Sequence, residues 1–391
     1  MITRLLGRLL GRLPIGWLQL AHSKPRLAAA LAGVAFANIL VLVQLGILGA
    51  LNGTVAMNYA PFRADVMISA TDSRMLTDGS PIARRFLARV QADPGVEDAA
   101  PLYLASADWA RPDGSIASLT VYGLPADKPW FLGPLAHARG QDLLLGDVGL
   151  IDSRTRGLAA GTFAGASLDS PVGTEINERA LNLIGSFSLG GGFSADGALL
   201  VSDQNFLRLF PRRSGGTPSH VLLRLKPGAG PEVVPRLERM LEGEHLQVRS
   251  LAEAIGDDLD YQTKQRPTGI IFGFGVIIGV IVGVVIVYQV LSTDVADHLK
   301  EYATFKAMGY PHRFFLGIVF EEAVILALLG FVPGVAISLA IYVGMAGATG
   351  LPVEMTLARA MMVLAGTVLA CGLSGALATR RLRAADPAEL F

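Results

Sequence analysis

"GIIFGFGVIIGVIVGVVIVYQVL", residues Gly269 to Leu291, runs for 23 residues without a charge. At about 1.5 Å rise per residue, a helix of this length covers a hydrocarbon core of roughly 30 Å. Its glycines at 275, 279 and 283 are four apart, so Gly275, Gly279 and Gly283 share one helix face as overlapping G-x-x-x-G pairs. Glycine is enriched in membrane helices generally, but this spacing predicts a face on which a second helix packs closely.

The rest of the 391-residue chain agrees with a membrane reading. Apolar residues make up 51% and charged residues only 17%, against roughly 25% charged in ordinary soluble domains; the mean hydropathy is +0.47. The formal net charge is zero, so no overall field points to nucleic acid. Cys371 is the sole cysteine, and the six histidines include no H-E-x-x-H. Neither a disulfide framework nor a metal cluster is expected.

Three further apolar runs read as spans. The first is Leu27 to Leu51, interrupted only by Asn38 and Gln44. A signal peptide cut after Ala35-Phe36-Ala37 is the rival reading, but a cleaved apolar region is about 7–15 residues and this one continues well beyond. The third span, Phe315 to Gly344, contains "LLGFVPG"; Pro333 between Gly330 and Gly334 predicts a kink or a break there. The fourth is Leu357 to Thr379. Arg4, Arg8, Arg12, Lys24 and Arg26 precede the first span, Lys300, Lys306 and Arg313 lie between the second and third, and Arg380, Arg381 and Arg383 follow the last. Short loops rich in Lys and Arg stay in the cytoplasm. Segments 1–26, 292–314 and 380–391 are therefore expected inside, with 52–268 and the short loop 345–356 outside. "MITRLLGRLLGRLP" spaces its arginines by four opposite leucines, a basic amphipathic helix suited to the inner leaflet, with Trp17 as an interfacial anchor.

The outer segment mixes strand and helix signals. "ADVMIS" (Ala64 to Ser69), "SIASLTVYGL" (Ser115 to Leu124) and "SHVLLRLK" (Ser219 to Lys226) read as strands. "SPIARRFLARVQAD" (Ser80 to Asp93) and "GPEVVPRLERMLEG" (Gly230 to Gly243) read as helices, the first capped by Ser80. "RPDGS" (Arg111 to Ser115) carries turn chemistry. The Gly-rich "SFSLGGGFSADG" (Ser186 to Gly197) reads as a mobile surface loop, and Leu251 to Gln265 returns the chain to the membrane. No G-x-S-x-G occurs, and the only histidines here are His137, His220 and His245, so structural or binding roles are favoured over hydrolysis. The expected fold is an α-helical integral membrane protein with four transmembrane helices and a large α+β extracytoplasmic domain between the first two.

Between the second and third spans lies "DHLKEYATFKAMGYPHRFF" (Asp297 to Phe315). Leu299, Tyr302, Phe305 and Met308 recur every three residues, Lys300, Glu301 and Lys306 keep the segment wet, and Gly309 and Pro311 end the helix. Such a short helix is unstable alone. It either lies on lipid or offers aromatic and Met side chains to a groove on a cytoplasmic partner; spacing does not choose between these.

"IVYQVLSTDVADHLKEYATFKAMGYPHRFF" (Ile286 to Phe315), followed by "EEAVILALLGFVPG" (Glu321 to Gly334), closely resembles the DevC-type permeases of the wider MacB/FtsX-like group of ABC-transporter membrane subunits. "WLQL" (Trp17 to Leu20) and "DPAELF" (Asp386 to Phe391) are similar to the end motifs of members. The resemblance covers the membrane portions; the outer segment matches in size and position. It implies a homodimer of four-span subunits served by a separate cytoplasmic ABC ATPase, which would bind the ATP and Mg. The loop would then be the coupling helix, with Leu299, Glu301, Tyr302, Ala303, Phe305, Lys306, Ala307, Met308 and Gly309 at the motor. It also implies an inner-membrane location, a periplasmic membrane-fusion adaptor, an outer-membrane channel, and export of a lipid or glycolipid.

The residues agree on one point independently. None of the six lysines follows a glycine, so no G-x-x-x-x-G-K-[ST] exists and this polypeptide builds no P-loop. It is expected to be no enzyme, with any ATP-driven motor on another chain. Glu321 and Glu322 sit near the cytoplasmic end of the third span; snorkelling or pairing with Arg313 or Lys306 is favoured over a proton relay. Arg359 is expected at the outer interface. The alternative function is that of an FtsX-like mechanotransmitter acting on a periplasmic partner such as a cell-wall hydrolase. A proton-coupled carrier is disfavoured because no repeat of the spans is evident.

Overall fold

Helices that are apolar on every side cannot be covered by one folded core, and the long apolar runs here form long helices accordingly. The computed structural model describes residues 15–111, 113–134, 139–159 and 161–379. In chain order the elements are α1 (Ile15–His22), α2 (Lys24–Met57), β1 (Val66–Ala70), α3 (Arg85–Gln91), β2 (Val96–Ala110), β3 (Ile116–Leu124), β4 (Val148–Asp152), β5 (Val172–Ile176), β6 (Arg179–Phe187) and β7 (Gly197–Ser202). They continue with α4 (Asp203–Leu209), β8 (His220–Leu225), α5 (Val233–Met240), β9 (Leu246–Ser250), α6 (Leu251–Lys264), α7 (Pro267–Asp297), α8 (Leu299–Ala307), α9 (His312–Thr349) and α10 (Leu357–Ala378). The basic N-terminal helix, His137, and the arginines and end motif after Thr379 fall outside the described residues. Two compact units result: residues 1–49, 270–344 and 353–391 form one, and 50–269 with 345–352 the other.

In the first unit α2, α7, α9 and α10 are long and apolar enough to cross a membrane. The glycine face of α7 packs on α2. A Cβ at Gly275 would stand 2.5 Å from the Gln44 side chain, and Cβ atoms at Gly279 and Gly283 would stand 3.0 Å from Val41 and Ala37. A neighbouring face of α2 receives α9, where a Cβ at Gly330 would meet Val34 at 2.7 Å and one at Gly334 would meet Asn38 at 2.9 Å. Close backbone approach of this kind substitutes for the hydrophobic driving force that lipid removes. Polar ties hold the remaining helix: Thr367 Oγ1 of α10 donates to Asn38 Oδ1 at 2.6 Å, and Ser374 Oγ donates to the Val284 carbonyl at 3.1 Å.

Of the kink or break expected at Pro333, the break does not occur. Helix α9 runs from His312 to Thr349 with Pro333 inside it. Membrane helices tolerate an interior proline where neighbouring helices support the freed backbone, and the two flanking glycines are used for packing on α2.

The second unit is built on a nine-stranded mixed sheet of order β3-β7-β4-β6-β5-β2-β8-β1-β9, with β3 also paired to β2. The pairings from β2 through β3, β7, β4, β6 and β5 therefore return to β2 and close a six-stranded ring. The 15-residue β2 makes this possible. Its first half, Val96 to Leu102, pairs with β8 in the open part of the sheet, and its second half, Tyr103 to Ala110, pairs with β3. Alternation along the strands divides the core. Ala117, Leu119 and Val121 of β3 point into one cluster with Trp109 and Phe206, while Tyr122 and Leu124 join another with Tyr59, Leu200 and Leu222. Val66 and Ile68 of β1 pack on Phe86 and Val90 of α3 and Leu237 of α5.

Two expectations for this unit are corrected. The helix expected from Ser80 begins at Arg85, because the Ile82 and Arg84 amides donate to the Pro218 and Gly216 carbonyls instead of starting a helix. Ser80 Oγ donates to Asp72 at 2.5 Å. The Gly-rich stretch is pinned, not mobile: buried Asp152 accepts from the Leu189 amide at 2.9 Å and the Gly190 amide at 2.8 Å. Arg156 closes its far side through Asp196 at 3.0 Å and the Gly192 carbonyl at 2.9 Å.

Candidate functional site

Helix α8 is nine residues long and is held at both ends by identifiable devices. At its start, His298 Nδ1 meets the Asp294 carbonyl at 3.0 Å, and Glu301 places negative charge in the first turn, where the helix dipole favours it. At its end the Gly309 amide donates to Lys306 and the Tyr310 amide to Phe305. Gly309 sits at φ +90°, and the Phe305 and Tyr310 rings meet edge-to-face at 5.7 Å. This is the paired-bond helix stop with its hydrophobic contact, and a left-handed residue at that point favours glycine.

Tyr302 anchors the helix. Its ring is 1% exposed, lies 5.6 Å from the Phe315 ring and belongs to the apolar cluster with Leu20, Ile318 and Val319. Its hydroxyl donates to Gln19 Oε1 of α1 at 3.2 Å. Burial, with Glu322 and Asp294 nearby, pushes the phenol above its ordinary range. Trp17, expected as an interfacial anchor, is half-buried against the same cluster. Arg26 of α2 pairs with Asp297 at 2.5 Å.

The expected docking residues thus divide. Tyr302 faces inward, which corrects its expected presentation to a partner, and Phe305 is half-buried against Phe314. Glu301, Lys306 and Gly309 are exposed, and Met308 and Tyr310 are 60% and 44% exposed. Leu299, Ala303 and Ala307 belong to α8, but their side chains are outside what the structure describes. The three-residue spacing marked the helix but not which residues anchor it: the partner of Tyr302, α1, is distant in sequence.

Among the described residues Glu322 neither snorkels nor meets a cation. It is 0% exposed, neither carboxyl oxygen has a hydrogen-bond partner, and Glu321 beside it is buried. Gly16 of α1 lies over it: a Cβ there would stand 2.9 Å from Glu322 Cγ. This cover was invisible in the local sequence. Asp294, which the sequence reading passed over, is 2% exposed in the same place. Arg359 donates to the Glu354 carbonyl at 2.5 Å.

In the outer unit a second polar arrangement surrounds the loop at Leu76. The Leu76 amide donates to Asp258 Oδ2 at 2.8 Å, and the same oxygen accepts from Tyr59 Oη at 2.7 Å. The Leu76 carbonyl accepts from His220 Nε2 at 2.8 Å, so Nδ1 is left to accept from Ser69 Oγ at 2.8 Å. His220 is thereby held neutral, and burial lowers its pKa to about 4. Burial raises that of Asp258. Ser69 and His220 are both closed to solvent, so the pair is structural and not a nucleophile and base. Among the described residues no group of three or more His, Cys, Asp or Glu side chains could hold a metal.

Four membrane-capable helices, with a short anchored helix between the second and third, define a multi-pass membrane protein. Residues 273–387 match the family described as FtsX-like permease C-terminal, so this part of the chain is similar to FtsX-like permeases. It takes in most of α7, then α8, α9 and α10, the region that carried the sequence resemblance. No curated protein sequence matches the chain. Among solved structures it is similar to the periplasmic region of MacB from Actinobacillus actinomycetemcomitans, at 14% identity over 50% of this chain and 92% of that one, with TM-score 0.35. It is also similar to the extracellular domain of the noncanonic ABC-type transporter YknZ from Gram-positive bacteria, at 13% identity over 48% and 99%, with TM-score 0.32.

Proposed function

We propose that this chain is the membrane subunit of a DevC-type ABC exporter, driven by a separate cytoplasmic ATPase that binds ATP and Mg. The observation that carries this reading is the construction of α8. Tyr302 is locked among the span residues, while Glu301, Lys306, Met308 and Tyr310 are exposed on the same short element. A force applied to the exposed side therefore reaches α9 through packed aromatic rings. Two copies of the chain would bring two such helices beneath a paired motor, whose closure moves them together. The outer units would then change shape and hand a lipid or glycolipid to a periplasmic adaptor and an outer-membrane channel. With α8 in the cytoplasm, the sheet domain lies in the periplasm.

A second reading has the same mechanics without cargo: an FtsX-like transmitter that switches a periplasmic partner such as a cell-wall hydrolase. The matched family description supports it equally. Affinity purification of the full chain in detergent, with mass-spectrometric identification of bound proteins, tests both. An ATPase with an adaptor supports export, an ATPase with a hydrolase supports transmission, and the absence of any ATPase removes both.

A further inference from the structure

At the α8 end of the spans two carboxyls are withdrawn from water. Asp294 of α7 is 2% exposed and Glu322 of α9 is 0% exposed. They lie close enough to hydrogen-bond to each other once one is protonated, and among the described residues no other donor reaches Asp294 Oδ2 or either Glu322 oxygen. Among the described residues only His298 and Arg26 bring positive charge toward Asp294, and none does so for Glu322. His298 Nδ1 is 3.7 Å from Asp294 Oδ2 and already engaged with the Asp294 carbonyl at 3.0 Å, and Arg26 is committed to Asp297. The other groups near the pair are Tyr302 from α8, Glu321 from α9 and, around the Asp294 cavity, Gln19 and His22 from α1. Two adjacent buried carboxylates, with no cation on Glu322 among the described residues, do not both remain ionised.

Asp294 also lines a cavity of roughly 240 Å³ together with Gln19, His22, Arg26, Asp297 and His298. Arg26 and Asp297 are 43% and 45% exposed, so the cavity reaches the surface. Leu20, Leu27, Ala30 and Val290 make much of its wall apolar, but the polar side chains give water partners there, and such water gives a proton a route to Asp294.

We infer that Asp294 and Glu322 form a proton-binding site, in which one proton is shared between the two carboxyls and exchanges with solvent through this cavity. The site lies beneath Tyr302, so its occupancy bears on how α8 is held. Loss of the proton puts a second negative charge under the anchor and loosens it. Neither claim needs a motor partner, so the test is separable from that of the proposed function.

The full chain in lipid nanodiscs would be compared with Asp294→Asn/Glu322→Gln, which keeps side-chain volume. Infrared difference spectra at about pH 7 should show a protonated-carboxyl band that shifts in D2O for the natural chain and is lost in the double variant. Trypsin cleavage after Lys306 should be several-fold faster at about pH 9 than at about pH 7 in the natural chain, after correction for the protease, and unchanged in the variant. Carbodiimide labelling of the natural chain, read by mass spectrometry, supplies a measurement that needs no variant: Asp294 or Glu322 should be modified near neutral pH. A band that persists in the double variant, a band that does not exchange in D2O, or labelling of neither carboxyl overturns the site. Cleavage that is equally pH-dependent in both proteins overturns the link to α8.

Discussion

Tyr59 Oη donates to Asp258 Oδ2 at 2.7 Å across 199 residues of sequence. Tyr59 follows the end of α2, and Asp258 lies in α6, the helix that leads to α7. The segment that brings the chain into the sheet domain is thus latched to the one that takes it out, and the Leu76 amide shares the same carboxylate oxygen.

Replacing Tyr59 with Phe keeps the ring and deletes the donor. The expected cost is about 1.5–3 kcal/mol, the usual worth of a hydrogen bond to a charged group. Hydrogen exchange at the Leu76 amide in the full chain should accelerate correspondingly, and unchanged protection there would show that the latch carries no strain.

The two sides of α8 should separate folding from coupling. Tyr302→Ala removes a fully buried ring and is expected to cost about 3–5 kcal/mol, visible as a lower melting temperature. Met308→Glu changes an exposed side chain and should alter stability by less than about 0.5 kcal/mol while weakening capture of the ATPase. Melts paired with pull-downs read both; the opposite pattern would contradict the anchored-helix reading.

His220 sets a pH dependence with a definite sign. Its folded pKa is about 4 and its ordinary value 6.5, so between these the unfolded chain binds the extra proton. Stability of the outer domain should be full above about pH 6.5 and fall toward pH 4, by up to about 3 kcal/mol. His220→Gln has no proton to gain and should flatten that decline in limited proteolysis across the range. An identical decline in the variant would assign it to other groups.

Gly279→Val would drive side-chain atoms into Val41 across the α2–α7 contact. Overpacking of this kind costs roughly 1–3 kcal/mol. Gly273→Val, on the same helix with open space around its Cβ position, is the control. Equal melting temperatures for the two would argue against close packing through the glycine face.

Asp152→Ala should release the Gly-rich segment. The buried Leu189 amide and the part-buried Gly190 amide would lose their acceptor, at about 1–3 kcal/mol for the buried one. Protease cleavage between residues 190 and 197 should rise several-fold in the variant, and a resistant loop would mean that Arg156 alone holds it.

What the sequence determined by itself were features with short-range causes. Uncharged runs long enough for a bilayer set the four membrane helices, glycines four apart on α7 marked a close-packing face, and Gly309 with Pro311 set the end of α8. Strands such as β1, β3 and β8 were legible because their β-branched alternation is local. Tertiary structure decided everything that depends on which distant segments meet. β2 was missed because its two halves serve different partners. Ser80 capped nothing because its neighbours bond to residues 216–218, and the glycine-rich loop is held by an aspartate some 37 residues away. The burial of Glu322 depends on α1, roughly 300 residues earlier, folding back over it. A side chain's own type fixes what it can bond to, but only the folded chain fixes whether water, a partner or nothing at all stands in front of it.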